Sequence, residues 1–263
     1  MSTKTLPPTD KLGQCKWPVL GERHTQALKE AVAFVFTEAH PLAIVATGTI
    51  VRGRSHMSSD LDVYVVNEGG YRRRVQRFFN GVPTEIFINP PHTIRDYYRD
   101  ENADGEPITA HMLATGTVVW SSGTIVDELR AEAREWLDKR SELTEAQLVA
   151  ARYAAVTRFE DAMDVAGADE ATASMMMSMA VIAMLELVCR MKAGRIPRRK
   201  DLLGMVEAID DKLGASARDF FTATDFAERQ ASAGRIADRT IGARGFFEWD
   251  SGEWPVPSAP VNG

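Results

Sequence analysis

Asp60 and Asp62 stand two residues apart at the head of an apolar run, and this pair constrains the chain more than any other feature in it. Successive side chains of a strand point to opposite faces, so residues two apart share a face. A strand here sets Asp60, Asp62, Tyr64 and Val66 on one face and Leu61, Val63 and Val65 on the other. Two acids held side by side repel each other unless a cation lies between them. A ligand set made only of oxygen favours a hard ion such as Mg2+. Upstream, the apolar run 43–46 reads as a buried strand that ends at Gly48-Thr49. That turn offers backbone N–H groups and a hydroxyl, which suit a phosphate. An arginine-bearing turn with Arg52 and Gly53 follows it.

Asn80-Gly81 lies between two alternating runs, 71–79 and 82–89, and marks a hairpin. On the second arm Val82, Thr84, Ile86 and Ile88 share one face; Pro83, Glu85, Phe87 and Asn89 share the other. A lone acid in such a strand is costly to bury unless something pairs with it. Glu85 is therefore a candidate third carboxylate. The competing account is an outward-facing glutamate on a half-exposed strand. The first arm carries Arg72, Arg73, Arg74 and Arg77, and alternation separates Arg72 and Arg74 from Arg73 and Arg77. One pair suits a triphosphate, because a guanidinium matches phosphate oxygens two at a time. The other suits a guarded sheet edge. Alternation does not say which pair does which.

Gly48, Thr49, Arg52, Gly53, Ser59, Asp60 and Asp62 together resemble the signature of the DNA polymerase β-like nucleotidyltransferases: Gly-Ser or Gly-Thr, a spacer, then Asp-x-Asp on the next strand. The resemblance implies an α+β chain with a small mixed-sheet head. It also implies two Mg2+ ions shared by Asp60 and Asp62, with Glu85 completing the set. Gly48, Thr49, Arg52, Ser59 and Arg74 would then meet the nucleoside triphosphate. The GxxxxGK[ST] loop of the other large class of nucleotide-binding enzymes is absent.

The remaining head reads as a helix over 22–39, short helices over 93–101 and 108–114, and a last strand over 117–120, with residues 1–18 irregular. His24, His40 and His92 receive no role, and His111 reads as a packing or capping side chain. From residue 124 the pattern is helical only: 124–139, then 144–166, opened by Thr144 and Gln147 as a capping box. Helices over 170–192, 199–213, 217–229 and about 234–241 follow, and then an irregular tail with Trp249 and Trp254. The expected division is a head over 1–122 and a helical domain over 123–263. The methionines of 175–184 read as core filling, and the basic residues of 195–200 as a solvated loop.

The net charge is −6, and the acidic excess falls wholly after residue 122. That disfavours nucleic acid as a partner. No apolar run reaches membrane-spanning length, the first residues lack an apolar signal core, and two cysteines make no framework. The expectation is a cytoplasmic protein that does not engage a membrane.

On the helix from Thr144, Leu148, Ala155, Phe159 and Met163 form an apolar stripe, and Tyr153, Thr157, Glu160 and Asp164 a polar one. A head of this size followed by a helical bundle is similar to the aminoglycoside nucleotidyltransferases of the kanamycin type. There the helical domain covers the acceptor and supplies a glutamate as general base, which the resemblance carries to Glu160. The family has a lysine four residues after its base; this chain has Asp164. The expected function is Mg2+-dependent transfer of a nucleoside monophosphate, AMP first among them, to a hydroxyl of a small polar or cationic acceptor. Glu160 would reach the site within one chain or across a homodimer. The alternatives are nucleotidylation of a protein or RNA, and a non-catalytic nucleotide-binding regulator.

Overall fold

The structure, a computed structural model, describes residues 8–53 and 59–250. The rest of the arginine-bearing turn and the tail with Trp254 lie outside the described residues. The chain forms two compact units, residues 1–139 and 140–263.

In the first unit the elements run α1 (Pro8–Leu12), α2 (Glu22–Glu38), β1 (Pro41–Thr47), α3 (Gly48–Val51), β2 (Leu61–Asn67), β3 (Arg73–Phe79) and β4 (Val82–Asn89). They continue as α4 (Pro91–Asp104), α5 (Ile108–Thr115), β5 (Thr117–Ser121) and α6 (Ile125–Asp138). The five strands form one sheet in the order β3-β4-β2-β1-β5. β2 and β4 are parallel, and every other pair is antiparallel. The sheet is therefore mixed.

The alternation read from the sequence decides what covers each face. Leu61, Val63 and Val65 of β2 and Val82, Ile86 and Ile88 of β4 pack with Leu28, Val32, Val35 and Phe36 of α2. Tyr64 and Val66 point the other way, into a core with Ile94 and Tyr98 of α4, Leu113 of α5, and Val126 and Leu129 of α6. The hairpin turn is Asn80-Gly81, with φ of 45° and 69°. Both values are left-handed, as a two-residue turn of this type requires. The turn sets Phe79 against Val82 and so fixes the register of the whole arm.

Several expectations shift. The first unit runs past residue 122 to Lys139 because α6 belongs to it: Arg130 caps α5 through the carbonyls of Leu113, Ala114 and Gly116 at 3.0 to 3.3 Å. α4 is longer than expected, since Pro91 takes its first turn, where the missing N–H costs nothing. Residues 8–12 are helical rather than irregular.

Among the described residues the second unit is all helix: α7 (Glu145–Val165), α8 (Glu170–Ala193), a 3-10 turn (Arg199–Asp201), α9 (Leu202–Ile209), α10 (Asp211–Thr222) and α11 (Phe226–Thr240). The expected capping box of α7 forms in both directions between Thr144 and Gln147. The helix expected over 199–213 breaks at Asp210, whose side chain accepts from the N–H groups of Lys212 and Leu213 and starts α10. Asp225 does the same for α11, so the helix expected over 217–229 breaks as well, and its last residues join the one expected near 234–241.

The core holds Phe159 of α7, Met177, Met184 and Leu185 of α8, Phe220 of α10 and Ile236 of α11. Met175 and Met179 are 59% and 55% exposed, so core filling describes only part of the methionine run. α8 also corrects the expectation that no apolar run reaches membrane-spanning length. By length and composition it could span a membrane, and half of its most apolar stretch is buried in the protein. The core helix of a bundle meets the same test by length and composition.

Candidate metal and nucleotide site

The three candidate carboxylates come together on the face of the sheet opposite α2. Asp62 and Glu85 are direct partners across the parallel β2–β4 pair, and Asp60 stands just before β2. One oxygen from each of the three lies within 4.8 Å of the others. Glu85 is not the outward-facing glutamate of the competing account; its side chain is only 18% exposed. Two unit charges about 5 Å apart at an effective dielectric of about 20 repel by about 3 kcal/mol, so this arrangement needs a counter-charge.

The protein supplies part of it. Arg74 Nη2 donates to Glu85 Oε2 at 2.6 Å, and Gln76 Nε2 donates to Glu85 Oε1. The Arg74 guanidinium also lies over the Phe87 ring, 4.6 Å from its centre. The Arg74 side chain is 60% exposed, and a pair that open to water contributes about 1 kcal/mol or less. The compensation is incomplete. Burial, followed by the charges of Asp60 and Glu85, pushes the Asp62 carboxyl up to about 7, while Arg52 and Arg74 pull the other way.

β1 brings the Gly-Thr turn alongside. Thr47, its last residue, is the cross-strand partner of Asp62. Gly48 follows with φ of 88°, and a Cβ there would overlap Asp62 Oδ2. Both facts require glycine. Thr49 is half-buried, Ser59 half-buried, and Arg52 Nη1 lies 3.3 Å from His111 Nε2. His111, read from the sequence as a packing or capping residue, is thus tied to a candidate phosphate ligand.

The structure also divides the β3 arginines. Val75 packs on the α2 side, so Arg74 and Gln76 project to the carboxylate face. Arg72 bonds Tyr97 of α4. Arg73 pairs with Glu38 at the end of α2, and Arg77 lies over Phe34.

Among the described residues the donor set is three carboxylates with no histidine or cysteine, which suits Mg2+ or Mn2+. A buried hydroxyl adds to the case. Thr47 is 1% exposed, and its Oγ1 has no hydrogen-bond partner among the described residues; it lies directly across from Asp62. Buried polar groups are nearly always paired, so this one is suited to a ligand. Thr47 and Gln76 were not singled out from the sequence. Strand parity signals both, since each faces an acid across a ladder. Glu160 belongs to the second unit, half-buried on α7 beside Phe159, with Asp164 exposed one turn on.

No protein-family model matches this chain, and no curated protein matches it. Among solved structures, a nucleotidyltransferase-like protein from Exiguobacterium sibiricum aligns over 82% of this chain and 76% of its own, at 11% identity and a TM-score of 0.49. A likeness of that degree leaves the function to rest on the residues of this chain.

Proposed function

We propose that the protein is a divalent-metal-dependent nucleotidyltransferase that moves a nucleoside monophosphate, AMP from ATP in the first instance, to a hydroxyl of a small polar or cationic acceptor. The observation that carries this reading is the convergence of Asp60, Asp62 and Glu85, with their oxygens within 4.8 Å, against a glycine turn. That is the placement the resemblance to the polymerase β-like enzymes calls for.

Asp60, Asp62 and Glu85 would hold Mg2+, two ions by that resemblance. When bound, the metal supplies neutralising charge at the α-phosphate and the leaving pyrophosphate. The chain's own residues bind and orient. The backbone at Gly48 with the Thr49 and Ser59 hydroxyls would cradle phosphate oxygens. Arg52 and Arg74 would fix the triphosphate through bidentate contacts. The acceptor oxygen bonds to the α-phosphorus as the bond to pyrophosphate breaks, and Glu160 would take the hydroxyl proton if it comes within about 2.6–3.2 Å in the productive complex. The aminoglycoside-like acceptor and the Glu160 role rest on the resemblance alone.

The test is to incubate purified protein with nucleoside triphosphates labelled at the α-phosphate, Mg2+, and a panel of aminoglycosides, polyamines, proteins and RNA. Label on a small acceptor, lost in Asp62→Asn, supports the proposal. Label on protein or RNA would move the acceptor to that class. No transfer to any acceptor would contradict the proposal. Glu160→Gln at the wild-type rate across pH would remove Glu160 from it.

A further inference from the structure

We propose that Gln76 is a positioning residue that holds the Glu85 carboxylate in the orientation in which it shares a divalent cation with Asp60 and Asp62. This rests on the function proposed above. Three observations carry it. The hairpin register sets Gln76 directly opposite Glu85. Val75 is committed to the α2-side core, so Gln76 must project to the face that carries Glu85. The side chains meet there: Gln76 donates to Oε1 while Arg74 donates to Oε2, and both carboxylate oxygens are held by residues two apart on one strand.

The two donors differ in kind. The Arg74 guanidinium carries a charge and is largely exposed. A divalent cation arriving at Glu85 repels it, and triphosphate oxygens attract it. The amide of Gln76 is neutral, so it stays in place as the cation binds. A carboxylate oxygen has a second lone pair, so Oε1 can accept from Gln76 and still face a metal. Among the described residues, Gln76 is then what fixes rotation of Glu85 about its last bond once Arg74 turns to phosphate. Loss of a hydrogen bond that orients a metal-ligating group lowers metal affinity about 10–100-fold.

The experiment uses the full chain without nucleotide and titrates Mn2+ alone, reading free Mn2+ by electron paramagnetic resonance. Gln76→Met removes the donor at similar length, and Gln76→Ala removes it with the side chain. Both are expected to weaken Mn2+ binding about tenfold or more, with the melting temperature of the metal-free protein unchanged. In the Glu85→Ala background, Gln76→Met is expected to change nothing further. Wild-type affinity in both Gln76 variants would overturn the inference. An equal drop with and without Glu85 would also overturn it, since Gln76 would then act elsewhere. Asp62→Asn run in parallel separates the two levels: if it too binds Mn2+ like the wild type, the proposed function itself fails.

Discussion

Four carboxylates of the helical unit and three on the sheet of the first unit do opposite work. In the helical unit Asp169, Glu207, Asp210 and Asp238 are satisfied one by one. Asp210 accepts from two backbone N–H groups at 3.0 Å and pairs with Arg239 at 2.7 Å. Asp169 caps α8 through Ala171, Thr172 and the Thr172 hydroxyl. Glu207 pairs with Arg218, and Asp238 with Arg244. The Thr172 hydroxyl holds the Asp169 carboxyl below its ordinary range, and Arg239, Arg218 and Arg244 do so for Asp210, Glu207 and Asp238. On the sheet of the first unit, Arg74 and Gln76 both donate to Glu85, and Asp62, beside Asp60 and Glu85, is driven upward. Acids that build structure arrive with partners. The crowded acids are those proposed above to hold a metal.

The sharpest way to break this contrast is Asp62→Asn. A metal ligand supports several kcal/mol of transition-state stabilisation, at about 1.4 kcal/mol per factor of ten. Turnover should fall about a thousandfold or more with the fold intact. Unchanged turnover would make the cluster ornamental.

The pH dependence of stability comes next in size. Asp62 keeps its proton to about 7 in the metal-free fold, against an ordinary 3.8. The folded chain therefore holds more protons than the unfolded one between those values, and stability falls as pH rises from about 4 to about 7. The upper bound is on the order of 4 kcal/mol. Asp210 has the opposite sign: its carboxyl is depressed, so its contribution is present above its ordinary range and lost as pH falls below it. Urea unfolding in chelator across pH should show the Asp62 slope, and Asp62→Asn should abolish it.

Gly48→Ala is expected to lower stability by about 1–2 kcal/mol through its left-handed φ, and to lower metal affinity by displacing Asp62. Melting and Mn2+ titration read the two effects separately. Asp210→Ala, by contrast, should cost about 1 kcal/mol as a lost cap and leave Mn2+ affinity unchanged. A change in metal binding there would blur the distinction between the two units.

Much of this was legible in the sequence because period-2 alternation is strict. It placed Asp62, Tyr64 and Val66 together, and the Asn-Gly turn fixed β3 against β4. Alternation gives two sets of residues without saying which set looks where. The arginines of β3 were undecided until Val75 was seen in the α2-side core. The break at Asp210 has no proline or glycine to announce it; an aspartate side chain competing for backbone N–H groups does the work. Met175 and Met179 misled because an apolar helix long enough for a core also exposes a face. Gln76 escaped because a neutral amide draws no attention until its register partner is known.

The central claim is that Asp60, Asp62 and Glu85 hold the metal that serves nucleotidyl transfer. The most direct measurement is a crystal structure of the protein with Mn2+ and a non-hydrolysable nucleoside triphosphate analogue, using anomalous scattering to place manganese. The account predicts at least one manganese bonded to Asp62 and shared with Asp60 or Glu85, with triphosphate oxygens on the same ion. Manganese and nucleotide bound away from these carboxylates, or no manganese at all, would contradict it.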